Sequence, residues 1–139
     1  MNPDSLPAEI HEFVKNQLHT NDGAEALLLL WGRRNETWTI DAVASALHLP
    51  SVRVRDTLLD LGRHGLLEMF VDGNGSAFQY RPRDPALERL VDQFARIYQD
   101  NRLEIIKLMG EYAIERVRNS ATRTFWDAFL RSDRNPRKG

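Results

Sequence analysis

The chain has 139 residues, a formal net charge of -1 at neutral pH, 42% hydrophobic and 28% charged residues, and no cysteine. Those totals suit one domain, or a small domain with a helical appendage, and supply enough apolar side chains for a packed core. They exclude disulfides, thiolate metal sites and a cysteine redox switch, and the near-zero charge leaves any nucleic-acid contact to local clusters of cations.

The first residues, MNPDSLPAEI, have neither the basic start nor the apolar run of a signal peptide. The longest apolar run, ALLLLW from Ala26 to Trp31, is far too short to span a bilayer. A cytoplasmic protein with no membrane partner is the expectation. Acidic side chains outnumber basic ones in residues 1–50, and the basic bias lies after position 50 and towards the C-terminus.

Pro7 can open a helix whose apolar residues Ile10, Phe13, Val14 and Leu18 make one stripe. The stretch HTNDG breaks it, and Asn21 or Asp22 can cap the next helix, AEALLLLWGRRN, which stops near Gly32 with Arg33 and Arg34 at its C-terminal end. Thr39 or Asp41 can cap a third helix, IDAVASALHL, which buries Ile40, Val43, Ala44 and Leu47. Pro50 is expected to end it, because a residue before proline is pushed out of helical geometry. Ser51 is expected to cap a fourth helix with Val54, Leu58 and Leu61 inward, stopped by Gly65.

The period then changes to two. LLEMFVDGNGSAFQYRP alternates on both sides of DGNG, which signals a β-hairpin in which Met69 and Val71 share a face with Phe78 and Tyr80. After Pro82, Asp84 can cap a long helix from Pro85, with Leu87, Leu90, Val91, Phe94, Ile97, Tyr98, Ile105 and Leu108 at helical spacing and Asn101 inside the stripe. The helix is expected to run to Met109 or beyond, with a kink at Gly110. EYAIERVRNSATRTFWDAFL adds amphipathic helix, with Phe125, Trp126, Phe129 and Leu130 on one apolar side, and RSDRNPRKG reads as a disordered tail. The expected fold class is mainly α with a small β-hairpin, divided into residues 1–83, a C-terminal helical region 84–132 and a tail 133–139.

With Val54, Leu58 and Leu61 inward, the fourth helix points Ser51, Val52, Arg53, Arg55 and Asp56 outward near its N-terminus. Arginine can pair with both acceptors of a guanine edge, and a serine at a helix start can reach a phosphate. Arg53 and Arg55 lie two apart, so one can read a base while the other contacts the backbone. A pair of solvated surface arginines is the plainer account of the same residues.

The stretch TIDAVASALHLPSVRVRDTLLDLGRHGLL, followed by EMFVDGNGSAFQYRP, resembles the winged helix-turn-helix of bacterial transcriptional regulators, especially the MarR-like group. The matching marks are the IDAVASAL helix, the turn at HLP, the ending L-x-x-L-x-x-x-GLL and the glycine-rich hairpin, over roughly residues 25 to 82. The resemblance implies double-stranded DNA as partner, with Ser51, Val52, Arg53, Arg55 and Asp56 facing the groove. Its wing departs from the pattern, since the tip VDGNGS carries Asp72 and no cation. Arg81 and Arg83, at the wing base, can reach a phosphate instead.

The long helix from Pro85 is expected to pair with a second copy, burying Leu87, Leu90, Val91, Phe94, Ile97 and Tyr98, with Asn101 setting the register. A homodimer of this kind would space two recognition helices about 34–36 Å apart. The alternative is that this helix folds back on its own domain. No cofactor, metal or enzymatic activity is expected, because His11, His19, His48 and His64 are scattered without ligand spacing or a paired nucleophile. The two functional readings are a homodimeric DNA-binding regulator and a winged-helix adaptor that binds a protein partner without reading DNA.

Overall fold

The computed structural model describes residues 6–18, 20–73 and 75–134, with side chains described to residue 118. Helix α1 (Ala8–Phe13) continues into a π-helical turn (Val14–Leu18) and is followed by α2 (Asn21–Gly32). A short strand β1 (Trp38–Thr39) leads into α3 (Ile40–Leu47) and α4 (Ser51–Arg63). Strands β2 (Leu67–Asp72) and β3 (Gly75–Tyr80) form the hairpin, and α5 (Pro85–Asp100) and α6 (Arg102–Arg134) complete the chain. The expected class therefore holds: mainly helical, with a small sheet as the wing.

Helix starts are decided by short polar side chains, though not always by the expected one. Thr39 caps α3, its Oγ1 accepting from the Ala42 amide, and Asp84 caps α5, accepting from the Leu87 amide at 2.8 Å. At α2 the cap is Thr20, which accepts from the Gly23 amide, in place of the expected Asn21 or Asp22. Gly23 is needed there for space, because a Cβ would sit 2.7 Å from the Leu18 carbonyl oxygen. Replacing Asp84 by alanine strands the Leu87 amide and is expected to cost about 1 kcal/mol of stability, read as a lower urea midpoint with an unchanged slope.

Helix α3 ends earlier than Pro50 requires. His48 adopts the left-handed conformation (φ 58°, ψ 46°), and its amide, like that of Leu49, bonds back to the Ala44 carbonyl. Pro50 then occupies the cap position of α4 and offers no side-chain hydrogen bond, so Ser51 is the first residue of that helix and not its cap.

The sheet has a third strand that alternation did not reveal. Its order is β1-β3-β2, all antiparallel, with Trp38 opposite Phe78. Within the hairpin Met69 lies opposite Phe78 and Leu67 opposite Tyr80, so these residues share a face as expected. Burial fades along it: Leu67, Phe78 and Tyr80 are buried, while Met69, Phe70 and Val71 near the tip are exposed.

The expected long helix breaks at Asn101 (φ -134°, ψ 47°), and Gly110 lies within a continuous α6. Asn101 is thus a junction between two helices and does not lie inside one continuous helix. Leu87, Val91 and Phe94 are buried in the chain's own core, and Leu90, Ile97 and Tyr98 pack half-buried against it. The Phe94 ring lies 5.3 Å from Phe13 and 5.7 Å from Tyr98. In this chain α5 folds back on its own domain, against α1 and α6, and one set of buried residues runs from Leu6 to Met109 across the expected boundary at residue 84. Among the described residues no helix is long and apolar enough to cross a membrane. The side chains of Phe125, Trp126, Phe129 and Leu130, and residues 135–139 of the expected tail, lie outside the described residues.

Candidate nucleic-acid interface

Helix α4 is held by Val54, Leu58 and Leu61, each at most 1% exposed, packed against α2 and α3. This anchoring turns the rest of the first turns outward. Ser51, Val52, Arg53, Arg55 and Asp56 are all exposed, as the periodicity requires. Their surroundings separate them. Ser51 donates its hydroxyl hydrogen to Asp41 Oδ1 of α3 at 3.1 Å. Both Nε and Nη2 of Arg53 donate to Asp22 Oδ2 of α2, at 3.0 and 2.6 Å. Arg55 has no ion-pair partner among the described residues, and it lines a depression of about 380 Å³ with Thr39, Ser51, Val52 and Ser76.

That depression lies where the start of α3, the start of α4 and the wing meet. Because Pro50 provides no side-chain cap, the first-turn amides of α4 remain available at the positive end of the helix dipole. Uncapped amides beside an unpaired guanidinium favour an oxyanion. Asp41 on the same rim opposes it in part.

The wing-base cations are engaged within the chain. Arg81 pairs with Glu68 at 2.6 Å, and Arg83 lies 3.6 Å from Asp84 while covering Gly65. Gly65 has φ 77°, a conformation that favours glycine, and a Cβ there would also push the Arg83 side chain aside. Arg81 and Arg83 are exposed, yet each would exchange a carboxylate for a phosphate on meeting DNA, a smaller gain than an unpaired cation makes.

A second polar cluster fixes the wing to α5. Trp31 Nε1 donates to Asp92 Oδ1 at 2.8 Å, and the Arg34 guanidinium lies 3.6 Å from the same carboxylate, over the Trp31 and Tyr80 rings. Gln79 of β3 donates to the Arg34 carbonyl. Burial first, and then the nearby Asp92 and Glu88, push the Tyr80 hydroxyl above its ordinary pKa against the pull of Arg34, so it stays neutral. These contacts cross between α2, β3 and α5, and no local pattern signals them. Asp22 and Asp41 were missed for the same reason: each meets its α4 partner only when the helices pack.

Among the described residues no group of three or more histidines and carboxylates could hold a metal ion. An open groove of about 750 Å³ separates α1 from α5 and is lined by Glu12, Phe13, Gln17, Arg89 and Leu90 among others. On α6, Leu103, Ile114 and Val117 are exposed.

No family model matches the sequence, and no curated protein matches it. Solved structures do match over most of the chain. The crystal structure of a MepR–DNA complex from Staphylococcus aureus is 17% identical with a TM-score of 0.52, covering 86% of this chain and 89% of that chain. MepR without DNA, described as a transcription regulator of the S. aureus multidrug efflux pump MepA, is 19% identical with a TM-score of 0.50, covering 86% and 90%. A MepR mutant from a multidrug resistant S. aureus clinical isolate is 18% identical with a TM-score of 0.51, covering 87% of each chain. At these identities the likeness is one of fold: three helices and a β-hairpin wing, followed by long C-terminal helices.

Proposed function

From a winged helix-turn-helix fold whose exposed helix start carries two arginines, we propose that this chain is a DNA-binding transcriptional regulator that acts as a homodimer, in the cytoplasm of a bacterial cell. The observation that carries the reading is the anchored N-terminal half of α4, with Arg53 and Arg55 outward beside an uncapped helix start. An anchored helix in this position can enter a major groove, and the 380 Å³ depression beside it can seat the adjoining backbone. The MepR–DNA complex, a protein of the same fold, supports DNA as the partner class.

The second copy would dock on the α1–α5 groove and on the exposed apolar residues of α6, because Leu87, Val91 and Phe94 are already enclosed. Leu90 in the groove and Leu103, Ile114 and Val117 on α6 provide apolar contact area for it. The test is a gel-shift and salt titration on genomic DNA fragments, with the mass in solution measured by light scattering. A retarded complex that weakens steeply with salt, formed by a species of twice the chain mass, supports the proposal. Absence of any protein-dependent shift at low salt refutes it.

One observation favours the adaptor reading. The outer half of the wing exposes Met69, Phe70 and Val71 on the edge strand β2, with Asp72 and no cation at the tip, a surface better suited to a protein than to a phosphate backbone. A partner that remains bound after nuclease treatment and after loss of both α4 arginines would select that reading.

A further inference from the structure

We infer a division of labour between the two outward arginines of α4: Arg53 reads a base edge, Arg55 holds a phosphate, and Asp22 is the residue that positions Arg53. The inference rests on the proposed DNA-binding function. Two residues apart on an α-helix are about 200° apart around its axis, so the two side chains leave α4 in different directions and cannot do the same task.

Arg53 is spoken for on one edge. Its Nε and Nη2 both donate to Asp22 Oδ2, which leaves Nη1 and the second hydrogen of Nη2 unused among the described residues. Those outer donors form the end-on fork that matches the two acceptors of a guanine. The paired carboxylate cancels most of the net charge, which weakens attraction to a phosphate, and leaves the fork intact for a neutral base. It also holds the guanidinium plane before DNA arrives, so less side-chain entropy is lost on binding. Asp22 suits this role. It sits in the first turn of α2 and is 24% exposed against 58% for Arg53, so it is the better-fixed member of the pair.

Arg55 has the opposite properties. It has no ion-pair partner among the described residues and lines the depression at the uncapped start of α4 next to Ser76 of the wing, with Asp41, held by Ser51, on the same rim. Net charge beside free helix amides attracts a phosphate.

The experiment is selection of binding sites from randomised duplexes by the full chain, with a salt titration on the selected site. Arg53→Ala and Arg53→Lys are both expected to flatten the preference at one position of each half-site, a loss of about 5- to 150-fold in discrimination, since lysine keeps the charge and loses the fork. Asp22→Ala is expected to flatten that same position, and to add nothing in the Arg53→Ala background. Arg55→Ala is expected to keep the selected sequence and lower the log–log salt slope by about 1 per subunit, with Arg55→Lys restoring the slope. Full base preference in Arg53→Lys, a flattened base position in Arg55→Ala, or an Asp22→Ala variant that tightens on all sequences evenly overturns the assignment while the DNA-binding function stands. A wild-type chain that selects no sequence and retains no duplex overturns both.

Discussion

Phe94→Ala is expected to cost about 3–5 kcal/mol of folding stability, a large share of the 5–15 kcal/mol typical of a native domain. Phe94 is 0% exposed, and its ring meets Phe13 of α1 and Tyr98 of α5. Truncation removes the transfer energy of a buried ring and leaves a cavity that helices tied at both ends cannot close. Leu90→Ala, on the same helix but half-buried at the rim of the α1–α5 groove, is expected to cost clearly less in the monomer. Urea melts of the two variants at one protein concentration check the order. A Phe94→Ala cost below that of Leu90→Ala would mean that α5 draws its stability from a partner chain and not from this core.

Loss of both α4 arginines is expected to abolish specific binding. At about 1–3 kcal/mol for a bidentate base contact in each of two half-sites, Arg53→Ala/Arg55→Ala loses about 2–6 kcal/mol, roughly 30-fold to 10⁴-fold in affinity, before the phosphate contribution is counted. The thermal melt should be unchanged within about 0.5 kcal/mol, because both side chains are exposed and the Arg53–Asp22 pair is a surface ion pair. Gel shifts on the selected duplex, alongside a melt of the same preparation, separate the two effects. Retention of wild-type affinity would move the DNA contact away from α4 altogether.

The helix-turn-helix was legible because its signals are local. Val54, Leu58 and Leu61 recur at helical spacing, Thr39 and Asp84 are short polar caps, and DGNG sits between two alternating runs. Each follows from backbone geometry within a few residues, so each is found where expected. The misplacements have equally definite causes. Thr20 was passed over for Asn21 because capping ability does not say which of three adjacent polar residues has extended backbone. Pro50 and Gly110 were read as breakers, yet a left-handed His48 ended α3 first, and the junction fell at Asn101, a residue that suits both a helix end and a polar seam.

The apolar stripe of α5 poses a question of another kind. Periodicity shows that Leu87, Val91 and Phe94 are covered, and carries no information about whether a second copy or the same chain covers them. The pairing of α5 with α1, some eighty residues away, decides in favour of the same chain.

What the sequence determined by itself, then, is the order of elements, the inward face of α4 and the identity of the two outward arginines, all consequences of spacing along one helix. What only the tertiary structure decided is how those arginines differ. Asp22 is 31 residues from Arg53 along the chain and within hydrogen-bond reach only because α2 packs on α4, whereas Arg55 shares its depression with Asp41 and forms an ion pair with no described residue. Charge pairing across helices depends on distances that packing creates, and spacing along the chain does not encode them.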